Sequence, residues 1–335
     1  MQKLIISLAI LFSFSAASAA NEVALKFVKA IPLPEVDGRI DHFAIDVKGR
    51  RAFLAALAKN TIEVVDLSAG RVTRTLPGFA KPQGVLFVPR FNKLVVACGV
   101  DGSVKTLDGT TLAVIHTATV SLGADAIGYD PRSKQIYVGS GGGDANKEQG
   151  DLTVFNAASG AQVAALTTDA HAGGSVVEGR GERVFVLVPE KAQVVVLDRK
   201  TRAQVAKWTI PGIQKNVALA LDEKSHRLFL GVRTPATIVV LDSDSGAVLA
   251  SVPTVATLDG LSFDSATRRI YTSGGEGFVD VTQQIDADHY ERVAHIPTGP
   301  IARTAVFVPK WRKLYVAVPR DKDRGAQLRV FQVLP

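Results

Sequence analysis

A single cysteine, Cys98, stands among 335 residues, so no disulfide can form within the chain and packing alone must hold the fold. Cys98 lies in the apolar run 94–98 and reads as a buried, inert thiol. Aromatic residues make up only 7%, and Trp208 and Trp311 are too isolated to build a base-stacking platform. There is no Gly-x-Ser-x-Gly elbow, no His-Glu-x-x-His, no cysteine metal site and no P-loop. Glycine runs such as 139–141 and 274–277 sit between strands with no helix following, so they are turns and not phosphate cradles. Charge of one sign is also scarce. The net value is +7, or +6 without Lys3, which gives no nucleic-acid footprint.

Long apolar runs are missing except at the start. Lys3 precedes an almost wholly apolar stretch, Leu4 to Phe14, and residues 15–20 are all Ser or Ala. This pattern is expected to be a secretory signal peptide over residues 1–20, cleaved near Ala19 or Ala20. The run is shorter than the roughly 20 residues that span a bilayer. The remainder, 21–335, is expected to be one domain, periplasmic or secreted, without a membrane span.

What the chain does have is a repeat. A short apolar strand, a polar turn, a stronger apolar strand, another turn and a third strand recur seven times. The first strands end at Asp46, Val88, Asp130, Glu178, Asp222, Asp264 and Val308, at intervals of 42, 42, 48, 44, 42 and 44. A multi-stranded period in the forties predicts an all-β, seven-bladed β-propeller with four-stranded blades. Six units carry a fourth strand. The seventh lacks one, and Leu25 to Ile31 supplies it, so the N-terminal strand is expected to close the ring by completing the last blade.

The segments Tyr137-Val138, 314–319, 273–281 and 303–309 resemble the YVTN-repeat, YncE-like family of exported seven-bladed propellers, over nearly the whole chain beyond residue 20. That resemblance implies the fold and a kinship of fold with quinoprotein amine dehydrogenase heavy chains and propeller lactonases. It assigns no activity. Relatives often carry His-Pro-Glu where this chain has His171-Ala172-Gly173, and an extra acid at Gly260. Both departures remove carboxylates and argue against lactonase-type metal chemistry.

Propeller geometry brings the segments leading into the seven inner strands to one axial mouth. They carry Arg39, Asp41, His42, Lys81, Gln83, Asp125, His171, Lys215, Asn216, Asp259 and Arg303, with Thr304 beside the last. The groups could pair among themselves and plug the channel, or bind a ligand. Asp41, Asp125, Asp259, His42 and His171 are of types that hold a divalent metal. The four cations instead favour a small polar or anionic molecule. The insertion 141–150 in the third unit reads as a surface loop on this face, its Asp144, Asn146 and Glu148 falling short of a calcium loop. So does the charged run 319–325. Two function classes follow. The first is a monomeric binding or scaffold protein for a small molecule or a protein partner, without a cofactor. The second is an axial enzyme, either a lactonase-like hydrolase or a quinoprotein-associated component.

Overall fold

The computed structural model describes residues 24–335, and the expected signal peptide lies outside them. Seven sheets of four antiparallel strands are arranged in a ring. The blade built from the first repeat is representative: Phe43–Asp46, Arg51–Ala56, Thr61–Asp66 and Arg71–Pro77 run from the axis outward. Inner strands end at the expected positions in six blades. In the fourth, Ser175–Val177 stops one residue before Glu178.

Burial follows strand position. The middle strands are covered on both faces by neighbouring blades, so Arg183–Val188 and Gln193–Asp198 are nearly continuous apolar, β-branched runs. The outer strand Gln204–Thr209 alternates exposed and half-buried residues, because only one face packs. Blade-to-blade contact is apolar. Phe53 of the first blade stacks on Phe87 of the second with centroids 5.7 Å apart.

Closure is as the repeat requires. Leu25–Pro32 pairs antiparallel with Gln327–Val333, from Leu25 opposite Val333 to Pro32 opposite Gln327. Leu25 and Ile31 are buried there, and Ile31 packs with Leu54, Tyr315 and Leu328 across the junction of blades seven and one.

The third-blade insertion is more regular than a surface loop. Strand Gln135–Gly141 runs to its first glycine and Gly150–Asn156 begins at its last. Between them Gly142–Ala145 forms a 3-10 turn, closed by Gly142 N–H donating to Gln149 O at 3.1 Å. Three inner strands also reach further toward the mouth than the sequence suggested: Pro82–Val88, Gln214–Asp222 and Leu258–Asp264. Each is bulged near its start, which kinks the strand and re-aims its side chains at the axis.

Candidate ligand site at the axial mouth

Counting back from the seven strand-end positions sorts the mouth into rings. Seven residues back stand Arg39, Lys81, Gly123, His171, Lys215, Thr257 and Ile301; five back, Asp41, Gln83, Asp125, Gly173, Val217, Asp259 and Arg303; four back, His42, Gly84, Ala126, Gly174, Ala218, Gly260 and Thr304. The last ring lines an axial channel of about 290 Å³. Within that ring His42 is the one large side chain, because the other six blades carry glycine, alanine or threonine there.

Above the channel opens a cavity of about 350 Å³. Arg39, His42, Lys81, Gln83, Asp125, His171, Lys215 and Asp259 all line it. The two spaces adjoin, with His42 and Asp259 on the walls of both. Three expected residues are not on the cavity wall. Asp41 is fully buried behind Arg39, with their charged atoms 3.0 Å apart. Asn216 is buried and donates from Nδ2 to Gln193 O at 2.9 Å. Arg303 lines neither space. It lies against Gly275, where a Cβ would sit 2.9 Å from its Nε.

Two residues the sequence reading missed are on the wall, Glu190 and Arg233. Glu190 lies in the connection between the second and third strands of blade four, and Arg233 is the next-to-last residue of the second strand of blade five, Arg227–Thr234, whose end opens on this face. Arg233 is the more consequential, donating from Nε to Leu258 O at 2.9 Å and pairing with Asp259 at 2.7 Å. Arg39 approaches the other oxygen of Asp259 at 3.7 Å. Asp259 is therefore held between two guanidiniums.

Asp125 faces His42 Nε2 at 3.8 Å, beyond hydrogen-bond reach, and its Oδ1 has no hydrogen-bond partner. Gln83 is 5% exposed, and its Oε1 is likewise unpartnered. His171 Nδ1 lies 3.2 Å from Gly141 O. A carbonyl only accepts, so this nitrogen carries the proton. Lys215 has no ion-pair partner among the described residues.

Burial pushes the Asp41 carboxyl up to about 6, with Asp125 and Asp259 adding to the rise and His42 and Arg39 opposing it. For His42, burial works against the charged form, but the carboxylates of Asp41, Asp125 and Asp259 outweigh it and hold the imidazole above its ordinary value. Among the described residues, no three His, Cys, Asp or Glu side chains are grouped as a metal set would require.

Solved structures similar to this chain include hydrazine synthase of Kuenenia stuttgartiensis, with TM-score 0.73 and 15% identity over 85% of this chain and 94% of that one. A chain of the mitotic checkpoint complex matches with TM-score 0.77 and 13% identity over 100% and 99%. The WD40 repeats of RRP9 match with TM-score 0.73 and 12% identity over 93% and 98%. These identities establish the propeller fold alone. Neither a family description nor a curated protein matches the sequence.

Proposed function

We propose that this chain is an exported binding protein, akin to the YVTN-repeat, YncE-like propellers, that holds a small organic anion at its axial mouth. The carrying observation is the cavity wall itself. Arg39, Lys81, Lys215 and Arg233 face a space of ligand size; of the three carboxylates on the same wall, Asp125, Glu190 and Asp259, only Asp259 engages the two arginines, and the cations remain in the majority. A concave site with low-dielectric walls strengthens attraction to an anion beyond what the modest net charge suggests. The metal reading is weaker, because Asp259 and Asp41 already face guanidiniums.

Thermal shift at constant ionic strength tests the proposal. Organic carboxylates are expected to raise the melting temperature of the wild type, and Lys215→Asn is expected to weaken the best of them about tenfold, the worth of one charge-assisted contact. Stabilisation by divalent metals only, or an unchanged affinity in Lys215→Asn, would overturn it. Export is tested separately, by N-terminal sequencing of the protein recovered outside the cytoplasm, with a start near residue 21 expected.

A second reading, hydrolysis, draws on one feature: His42 is the one imidazole among the residues lining the channel, whose other large side chains, such as Phe43, Ile127 and Leu219, are apolar. Turnover of lactone or ester substrates that His42→Gln abolishes would favour it.

A further inference from the structure

We infer that the face opposite the mouth docks onto an anionic lipid surface. This goes beyond the reading of the mouth and does not depend on a ligand there. On that face each inner strand turns back into its second strand through the four positions after its strand-end residue: 47–50, 89–92, 131–134, 179–182, 223–226, 265–268 and 309–312. These seven turns hold ten Lys or Arg and two carboxylates, Glu182 and Glu223. They therefore carry +8, against +7 for the whole chain, and the other residues are close to neutral in sum. The modest net charge is gathered around one end of the axis.

Every blade supplies at least one such cation without an intramolecular partner. Lys48, Arg90, Lys134, Arg180, Lys224, Arg268 and Lys310 are exposed, and none makes a side-chain hydrogen bond or ion pair among the described residues. The two carboxylates are engaged. Glu182 pairs with Arg132 at 2.9 Å, and Glu223 accepts from the N–H groups of Gly179, Arg180 and Gly181. Acids of the outer turns on the same side are engaged as well. Asp66, Asp108, Asp198 and Asp242 accept from N–H groups of their own turns, while Asp244, Asp286 and Asp288 pair with Arg183, His289 and Arg227. Positive charge is what this face offers a partner, and its recurrence in every blade makes it a property of the whole ring.

The fold also sets the partner's shape. The turns have one length and follow strand ends at equivalent positions of the seven blades, so their tips form a level ring about the axis. A level ring matches a planar anionic surface, where each basic residue adds its own attraction to the headgroups. Nucleic acid asks for an element that enters a groove or for aromatics on which bases stack. The two aromatics of the tips, Phe91 and Trp311, are half-buried and make no such platform. None of the exposed large apolar side chains lies in a tip, so the contact is electrostatic and without insertion.

Vesicle co-sedimentation tests the inference. Residues 21–335 contain every strand of the closed ring and are the form to use. At low salt they are expected to partition at least about tenfold more strongly into mixed phosphatidylglycerol–phosphatidylcholine vesicles than into phosphatidylcholine alone, with the difference lost near about 0.5 M salt. Replacing Lys48→Gln, Lys224→Gln and Lys310→Gln together is expected to lower partition about a hundredfold, roughly fivefold per lysine, at unchanged melting temperature. Lys147→Gln, Lys191→Gln and Lys322→Gln remove the same charge from the mouth side and are expected to change it less than about twofold. Equal losses in the two triple variants would reduce the effect to net charge and overturn the docking face. So would binding that survives the tip variant or high salt. A short DNA duplex held more tightly than the vesicles, and released by the tip variant, would reassign the face to nucleic acid. Absence of vesicle binding at low salt would overturn the inference and leave the anion reading of the mouth untouched.

Discussion

The two rims of the ring use charge in opposite ways. On the rim away from the mouth the pattern repeats from blade to blade. Asp66, Asp108, Asn156, Asp198, Asp242 and Asp286 each accept hydrogen bonds from backbone N–H groups two and three residues on, fixing the turn between third and fourth strands. A basic residue at the start of the second strand then clasps the next blade. Arg51 reaches Gly109 O, Lys93 reaches Ala158 O, Arg183 reaches Ser243 O and Arg227 reaches Ala287 O. Arg51 and Arg183 also pair with their own strand-end acids, Asp46 and Glu178. At the mouth the repetition is only partial. No ring carries one residue type through all seven blades, and the acceptors Asp125 Oδ1 and Gln83 Oε1 are left without donors. A feature that recurs in most blades serves the ring that all of them share. A feature confined to one or two blades needs another reason, and at the mouth the proposed reason is a ligand.

The largest blow to this contrast would come from opening the ring itself. Removing 24–32 strips the outer strand from blade seven, loses the buried side chains of Leu25 and Ile31, and exposes the edge of Gln327–Val333. The two side chains alone are worth roughly 3–6 kcal/mol, a large part of a typical total stability. The urea midpoint should collapse, and mouth and rim should lose structure together. A truncated protein with the wild-type midpoint would show that closure does not hold the ring.

Next comes the opposite rim. Asp130 and Arg199 form a buried pair at 2.9 Å, linking blades three and four. Asp130→Ala should cost about 3–5 kcal/mol by stranding Arg199, whereas the double replacement Asp130→Ala with Arg199→Met should recover much of the loss. At the mouth, Lys215→Asn should change the urea midpoint by no more than about 0.5 kcal/mol in stability. If Lys215→Asn destabilises as strongly as Asp130→Ala, the mouth charges are scaffold and the contrast is lost.

Legibility in the sequence follows the same division. The blade count and the strand ends could be read because an apolar period enforces them seven times, and the closing strand because one unit of the seven lacks its fourth strand. The mouth was legible where a residue sits at a fixed distance from a strand end, as His42, Asp125 and Asp259 do. Arg303 has the right spacing but turns aside into the room left by Gly275, a neighbour on another blade that spacing does not reveal. Arg233 was missed because it belongs to the end of a second strand and not to the segments leading into the axis. The pairing of Gly142 with Gln149 that regularises the third-blade insertion depends on a hairpin register that a glycine-rich composition conceals.

The smallest effect expected, a shift in pH dependence, also discriminates between the rims by sign. At the turns, backbone N–H donors hold Asp66, Asp108, Asp198, Asp242 and Asp286 below the ordinary carboxylate range. A lowered folded value means that their stabilisation is present above about pH 4, the unfolded value, and lost as pH falls below it. The mouth acts the other way. Burial raises Asp41 to about 6, so between about pH 4 and 6 the folded state binds more protons than the unfolded state, and stability falls as pH rises. His42, held above its ordinary value, contributes stability that is full below about pH 6.5 and declines as pH climbs through the folded value. The urea midpoint should therefore rise from strong acid to about pH 4 and then decline toward neutrality and beyond. His42→Gln with Asp41→Asn should flatten the decline while leaving the acid limb in place. Anion affinity should fall over the same upper range, by up to about tenfold, as the imidazolium loses its proton. A decline that survives the double substitution unchanged would place its source outside the mouth and remove this distinction between the two rims.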